Sequence, residues 1–358
     1  MSPDTVPAAV DWDLAERVAR VVAGRDPLGR SYLASSLERD FAEVTEEAES
    51  LVAEFTGLRT PGGVRSGVVD RHGWVAANVG SMQRMLAPLT DRVAERMSRS
   101  PFAPVGRRLA GAEMGVLLGY MGQRVLGQYD LLVPESSETP DAVYYVGPNI
   151  LTLEKRFVFR PRDFRLWIAV HEVTHRAQFT GVAWLRPYFL SLIERSLELV
   201  EPDPQRVVRA LGRASEELRA GRNPLDSGGL VALVATPEQQ GLLGRMQALM
   251  SLLEGHGNWV MNRVGAASIP GSARMDRVLH SRRKARGLHR QFQRLLGLEM
   301  KMRQYETGER FIDAVTAAAG DDVLEVAWRG PEWVPTMEEL ADPDAWLRRV
   351  EVPAVAVP

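Results

Sequence analysis

Phe164-Arg165-Leu166-Trp167-Ile168-Ala169-Val170-His171-Glu172-Val173-Thr174-His175 reads as one buried helix. Pro161-Arg162-Asp163 opens it and Gly181 closes it, residue types that suit a first helical turn and the position after a last one. Residues four apart on a helix share a face, about 40° of rotation from each other. His171 and His175 can therefore converge on one tetrahedral ion. Glu172 is offset by about 100°, so its carboxylate reaches a water on that ion rather than the ion. Zinc brings the pKa of such a water to about 7. A carboxylate beside it can take the proton and later pass it to a leaving amine. The plain alternative is a pair of helix histidines that only satisfy hydrogen bonds. A strand-like segment precedes the helix, and that strand-then-helix order favours the metal reading.

A catalytic zinc site takes three protein ligands and keeps one position open. The chain has no cysteine, which excludes thiolate ligands and a disulfide framework. One known spacing would place a third histidine six residues after His175, but Gly181 stands there. A later helix must supply the ligand. In Ser251-Leu252-Leu253-Glu254-Gly255-His256-Gly257-Asn258 an apolar helix abruptly presents Glu254 and His256 beside two glycines. Glu254 continues the stripe of Leu243, Met246 and Met250, so it should face the core, where a carboxylate needs a cation partner. A salt bridge to an arginine is the ordinary alternative. Glu254 is the expected ligand and His256 the alternative one. Asn258, one turn further, is expected to hydrogen-bond a ligand imidazole. The glycines leave space for a second helix.

The 358 residues carry a formal net charge of −2, with 45% hydrophobic and 25% charged residues. That is an ordinary globular composition, and it creates no global field that would draw the protein to nucleic acid or anionic lipid. Met1 to Asp13 lacks the basic start and apolar core of a secretion signal. Gly111 to Gly122 is too short for a bilayer span. A soluble cytoplasmic protein is expected. Gly111, Gly115 and Gly119 recur every fourth residue, which suits either a membrane dimer or close packing of a soluble helix; the polar flanks favour the second.

Helical periodicity covers most of the chain. Helices are expected over Tyr32–Phe55 ending at Gly57, over Trp74–Met97 with a kink near Pro88, over Pro104–Gln128, and from Thr236-Pro237-Glu238 onward. Tyr144-Tyr145-Val146 and Ile150–Leu153 flank a Gly147-Pro148-Asn149 turn and read as short strands. Tyr144 to Asn149 is the candidate edge for pairing with an extended peptide. The basic run Arg282–Arg303 has little aromatic interleaving beyond Phe292, so it reads as a solvated helix face rather than a nucleic-acid surface. The expected fold is mainly α with a small β-sheet, a helical N-terminal part over 1–130 and a catalytic part over 131–358.

The stretch from Phe164 to Phe179 resembles the signature of the actinobacterial zincin-like metallopeptidases, some of whose members are linked to deazaflavin-coenzyme biosynthesis. Arg124-Val125-Leu126-Gly127-Gln128-Tyr129-Asp130, Val146-Gly147-Pro148-Asn149-Ile150, Glu254-Gly255-His256-Gly257 and Arg303-Gln304-Tyr305-Glu306 resemble that family too. The resemblance implies a mostly helical zincin-like fold and brings no substrate with it. The order His, His, later Glu is also similar to zincins whose third ligand is a glutamate in a Glu-Gly context. Many of those have an acidic residue one turn later, where this chain has Asn258.

The expected chemistry is Zn2+-activated water attacking a peptide or small amide. Such a site needs a donor for the oxyanion, and His280, Arg274 and Tyr305 are the candidates. Two other functions fit the same residues: a hydrolase of small amides or esters, and a degenerate scaffold that binds a partner. The intact Glu172 speaks against the scaffold.

Overall fold

The computed structural model describes residues 8–25, 27–97, 101–131, 141–199, 236–283 and 298–351. Contacts divide the chain into two compact units: 1–177 with 264–275, and 178–263 with 276–358.

The first unit opens with α1 (Trp12–Ala23), capped by Asp11, whose Oδ1 accepts the Leu14 amide at 3.0 Å. Its buried residues, Trp12, Ala15, Ala19 and Ala23, recur at helical spacing. α2 (Leu37–Thr56) buries Leu37, Phe41, Val44, Ala48 and Val52, and ends at Gly57 in the left-handed region, φ 69°. Only glycine adopts that conformation without cost. Then follow β1 (Arg65–Val69), α3 (Arg71–Met97, with Pro88 inside it) and α4 (Ala103–Gly122). A Cβ added at Gly111, Gly115 or Gly119 would lie 2.4, 2.5 or 2.5 Å from the carbonyl oxygen of Asp11, Ala15 or Ala19. Equal steps on both helices mean that α4 and α1 run parallel with their backbones in contact. The glycine repeat thus serves helix packing within the fold. No helix among the described residues is long and apolar enough to cross a membrane.

α4 stops at Gly122, short of the expected Gln128, and residues 127–129 form β2 (Gly127–Tyr129). β3 (Ala142–Val146) runs parallel to β1 and antiparallel to β2, in the order β1-β3-β2. The expected hairpin around Gly147-Pro148-Asn149 is therefore absent. Residues 144–146 lie in the central strand, and α5 (Gly147–Phe157) begins where the turn was expected. Pro148 sits in its first turn, where a missing N–H costs nothing. Asn149 explains the rest: its Nδ2 donates to the carbonyls of Gly122 and Val125 at 2.9 and 2.7 Å, and its Oδ1 accepts from Arg71 Nε at 2.7 Å.

α5 ends on Val158, at φ 51° and ψ 48°, with the side chain 82% exposed. A β-branched residue is strained there and gains no burial in return. Val158→Asn should raise unfolding stability by about 1 kcal/mol, read from the urea midpoint. A lower midpoint would show that the valine makes a compensating contact. α6 (Pro161–Gly181) then begins, and its end, from Gln178, belongs to the second unit.

That unit holds α7 (Leu185–Glu198), most of α8 (Pro237–Ser268) and of α9 (Ser272–Arg283), and α10 (Leu298–Ala319). Thr236 and Gln239 cap α8 reciprocally, at 3.2 and 2.7 Å. Residues 251–260 of α8 are all buried, as in a helix packed on every side. The second helix that the Glu254 segment was expected to admit is α10: a Cβ at Gly255 would lie 2.3 Å from the carbonyl carbon of Gly308. The tryptophan-rich tail packs by ring burial and indole bonds, Trp346 to the Trp333 carbonyl and Trp184 to that of Trp328. Most of the basic run, 284–297 with Phe292, lies outside the described residues.

Candidate metal centre

α6 is anchored by Phe164, Trp167, Ile168, Val170 and Val173, all buried. His171 and His175 continue the stripe of Phe164, Trp167 and Ile168 and are half-buried. The rings of His171 and His175 stand at 84° with centroids 4.6 Å apart. Their Nε2 atoms face each other at 3.2 Å. Two nitrogens, each about 2.0–2.1 Å from a tetrahedral zinc ion, would lie about 3.3–3.4 Å apart. The pair thus fits a zinc ion almost as it stands.

Glu172 is buried, 8% exposed. Its side chain lies on the bare backbone of β2, because a Cβ at Gly127 would come within 2.6 Å of its Cγ. Tyr145 pairs with Gly127 in the sheet register. Its ring stacks on Phe41 with centroids 3.9 Å apart, and its hydroxyl shares a 2.9 Å hydrogen bond with Thr45. Burial pushes the Tyr145 pKa far above its usual value; the Thr45 bond acts the other way, and the Glu172 charge adds a further rise. Tyr145 is a neutral phenol at any working pH. β2 itself is held by Gln128, whose Oε1 accepts from Trp74 Nε1 at 2.7 Å and Asn78 Nδ2 at 3.2 Å.

Arg176, next to His175, is fully buried. Its guanidinium binds Glu49 at 2.5 Å and Thr60 at 2.8 Å, and Asp141 through Nε at 2.9 Å and Nη2 at 2.6 Å. It also donates to the carbonyls of Pro61 and Gly62 at 3.2 and 3.3 Å. The helix turn after the histidines is thereby tied to the loop before β1 and to the start of β3. Sequence reading gave no role to Arg176 or Gly127. The available signal was an arginine in an apolar helix and a glycine near the expected end of another, and neither names its partner.

In the second unit Glu254, His256 and Asn258 are all buried, at 6%, 2% and 2% exposure. Gln178 Nε2 donates to the Leu253 carbonyl at 3.1 Å and to His256 Nδ1 at 2.9 Å. The His256 ring stacks near Trp259 and meets Trp328 edge-on, with centroids 5.9 and 5.1 Å away. His256 is thus engaged in packing and accepts at Nδ1. Neither amide atom of Asn258 has a hydrogen-bond partner among the described residues. The expected hydrogen bond from Asn258 to a ligand imidazole is therefore not made among the described residues.

Of the oxyanion candidates, Arg274 donates to the Phe157 carbonyl at 2.6 Å and lies over the Phe159 ring at 5.1 Å. His280 sits half-buried on α9. The side chain of Tyr305 lies outside the described residues.

A helix bearing paired imidazoles with a carboxylate between them, packed on a small mixed sheet, defines a metallohydrolase. The chain belongs to the zincin-like metallopeptidase family, whose sequence pattern matches residues 10–347. That family implies a metal, typically zinc. A crystal structure from Chloroflexus aurantiacus, described as a candidate hydrolase with a novel fold, is similar to it at 29% identity and a TM-score of 0.70; the match covers 96% of this chain and 100% of that one. No curated protein matches the chain.

Proposed function

We propose that the protein is a zinc-dependent peptidase, with His171, His175 and Glu254 as metal ligands and Glu172 as general base. The observation that carries this reading is the 3.2 Å between the facing Nε2 atoms, close to the edge of a zinc tetrahedron. Among the described residues, these three make up the one group of three or more His, Asp and Glu side chains that could hold a metal.

A bound zinc ion supplies Lewis acidity, which acidifies water and polarises a carbonyl. The two imidazoles would hold it through their facing Nε2 atoms. Glu172, held on β2, takes a proton at its carboxylate and returns it to the leaving nitrogen. The Arg176 cluster ties α6 to the loop before β1 and to the start of β3, while Tyr145 ties the sheet to α2, so that the carboxylate does not wander.

Metal analysis tests the ligand set. Wild type and His256→Ala are expected to bind one zinc per chain, and His171→Ala and Glu254→Ala to bind none. Zinc retained by Glu254→Ala and lost by His256→Ala would reverse the third ligand. Turnover of small amides with no cleavage in a peptide library would replace the peptidase reading.

A further inference from the structure

Gly127 opens β2, where glycine has no side chain to pack. Its backbone does not need glycine, since it is not among the positive-φ residues. The space beside it explains the choice. The nearest atoms to an added Cβ are Glu172 Cγ at 2.6 Å, Cδ at 2.8 Å and Oε1 at 2.8 Å. Real Cβ contacts are not that short, so any other residue at 127 would force Glu172 to move. The clash begins at Cγ, one bond from the Cβ, and a turn of the carboxylate alone cannot relieve it. The side chain would have to rotate about χ1 and carry the carboxylate elsewhere.

The strand that presents this surface is itself pinned. Gln128 is bonded to Trp74 and Asn78, the Val146 amide donates to the Leu126 carbonyl at 2.8 Å, and Asn149 holds the Val125 carbonyl. Glu172 thus rests against a fixed wall.

We infer that Gly127 is a positioning residue for Glu172: the absent side chain is the seat in which the carboxylate is held. Its part in catalysis rests on the reading of Glu172 as the base, whereas the contact does not. Two measurements separate the two claims. The first is a thermal-unfolding cycle over wild type, Gly127→Ala, Glu172→Ala and the double variant. Gly127→Ala should lower the midpoint in wild type and leave it unchanged, or raise it, once Glu172 is truncated. Equal shifts in both backgrounds would overturn the inference, whatever Glu172 does. The second is zinc content and peptide cleavage by Gly127→Ala, on whichever library peptide wild type cleaves. Zinc should stay at the wild-type level while kcat falls at least tenfold and KM changes little. A coupled unfolding cycle with unchanged kcat would keep the contact and overturn the positioning role. Unchanged kcat in both Gly127→Ala and Glu172→Gln would point instead to failure of the base assignment.

Discussion

Gly308→Ala should be among the most damaging single-methyl additions to the fold. An added Cβ would sit 1.8 Å from the Ser251 carbonyl oxygen, 2.7 Å from its carbon and 3.2 Å from Gly255 Cα. These are backbone atoms of a buried helix, so no rotamer change relieves the clash. α8 and α10 must separate along a stretch where all residues of α8 from 251 to 260 are buried. Overpacking of a core costs about 1–3 kcal/mol, and more where backbone must shift, so a loss of about 3 kcal/mol or more is expected. Gly244→Ala is the control. Nothing lies within 4 Å of that position, and replacing a helix-interior glycine there should gain about 0.8–1.0 kcal/mol. Urea unfolding reads both. A Gly308→Ala protein as stable as wild type would mean that the two helices do not cross at Gly255.

Glu172→Gln should abolish hydrolysis while leaving the metal in place. Glutamine keeps the length and shape that rest on Gly127, so packing is preserved. It cannot take a proton, and loss of a positioned general base costs about 10²–10⁴ in rate. Zinc content should equal that of wild type, because Glu172 is proposed to act beside the ligands. The rate is measured on a peptide that wild type cleaves. Equal turnover by the two proteins would remove Glu172 from the mechanism.

The helices were legible because their periodic apolar faces and their stops are local. Gly57, Gly181 and the Thr236 cap fall where the sequence reading put them, within a residue or so. The Gly111-Gly115-Gly119 repeat could be read as a packing surface, but its partner α1 could not. The sheet was misread for a physical reason. Gly147-Pro148-Asn149 suits a turn as well as the first turn of a helix. The choice was made by Asn149, which bonds to the Gly122 and Val125 carbonyls and to Arg71, groups 24 to 78 residues away in sequence. Residues 127 and 128 were assigned to a helix for the same reason. A three-residue strand has too little pattern of its own, and its pairing with residues 143–145 decides its state.

Sequence alone determined the helix that carries His171, Glu172 and His175, because residues one and four apart on a helix have a fixed angular relation whatever surrounds them. It also restricted the metal ligands to nitrogen and oxygen, since the chain has no cysteine. Tertiary structure alone decided what Glu172 rests on, what fills the core beside His175, and which helix crosses at Gly255. Those contacts join residues 35 to 127 positions apart. Such pairings follow from the mutual fit of surfaces, and no local pattern records them.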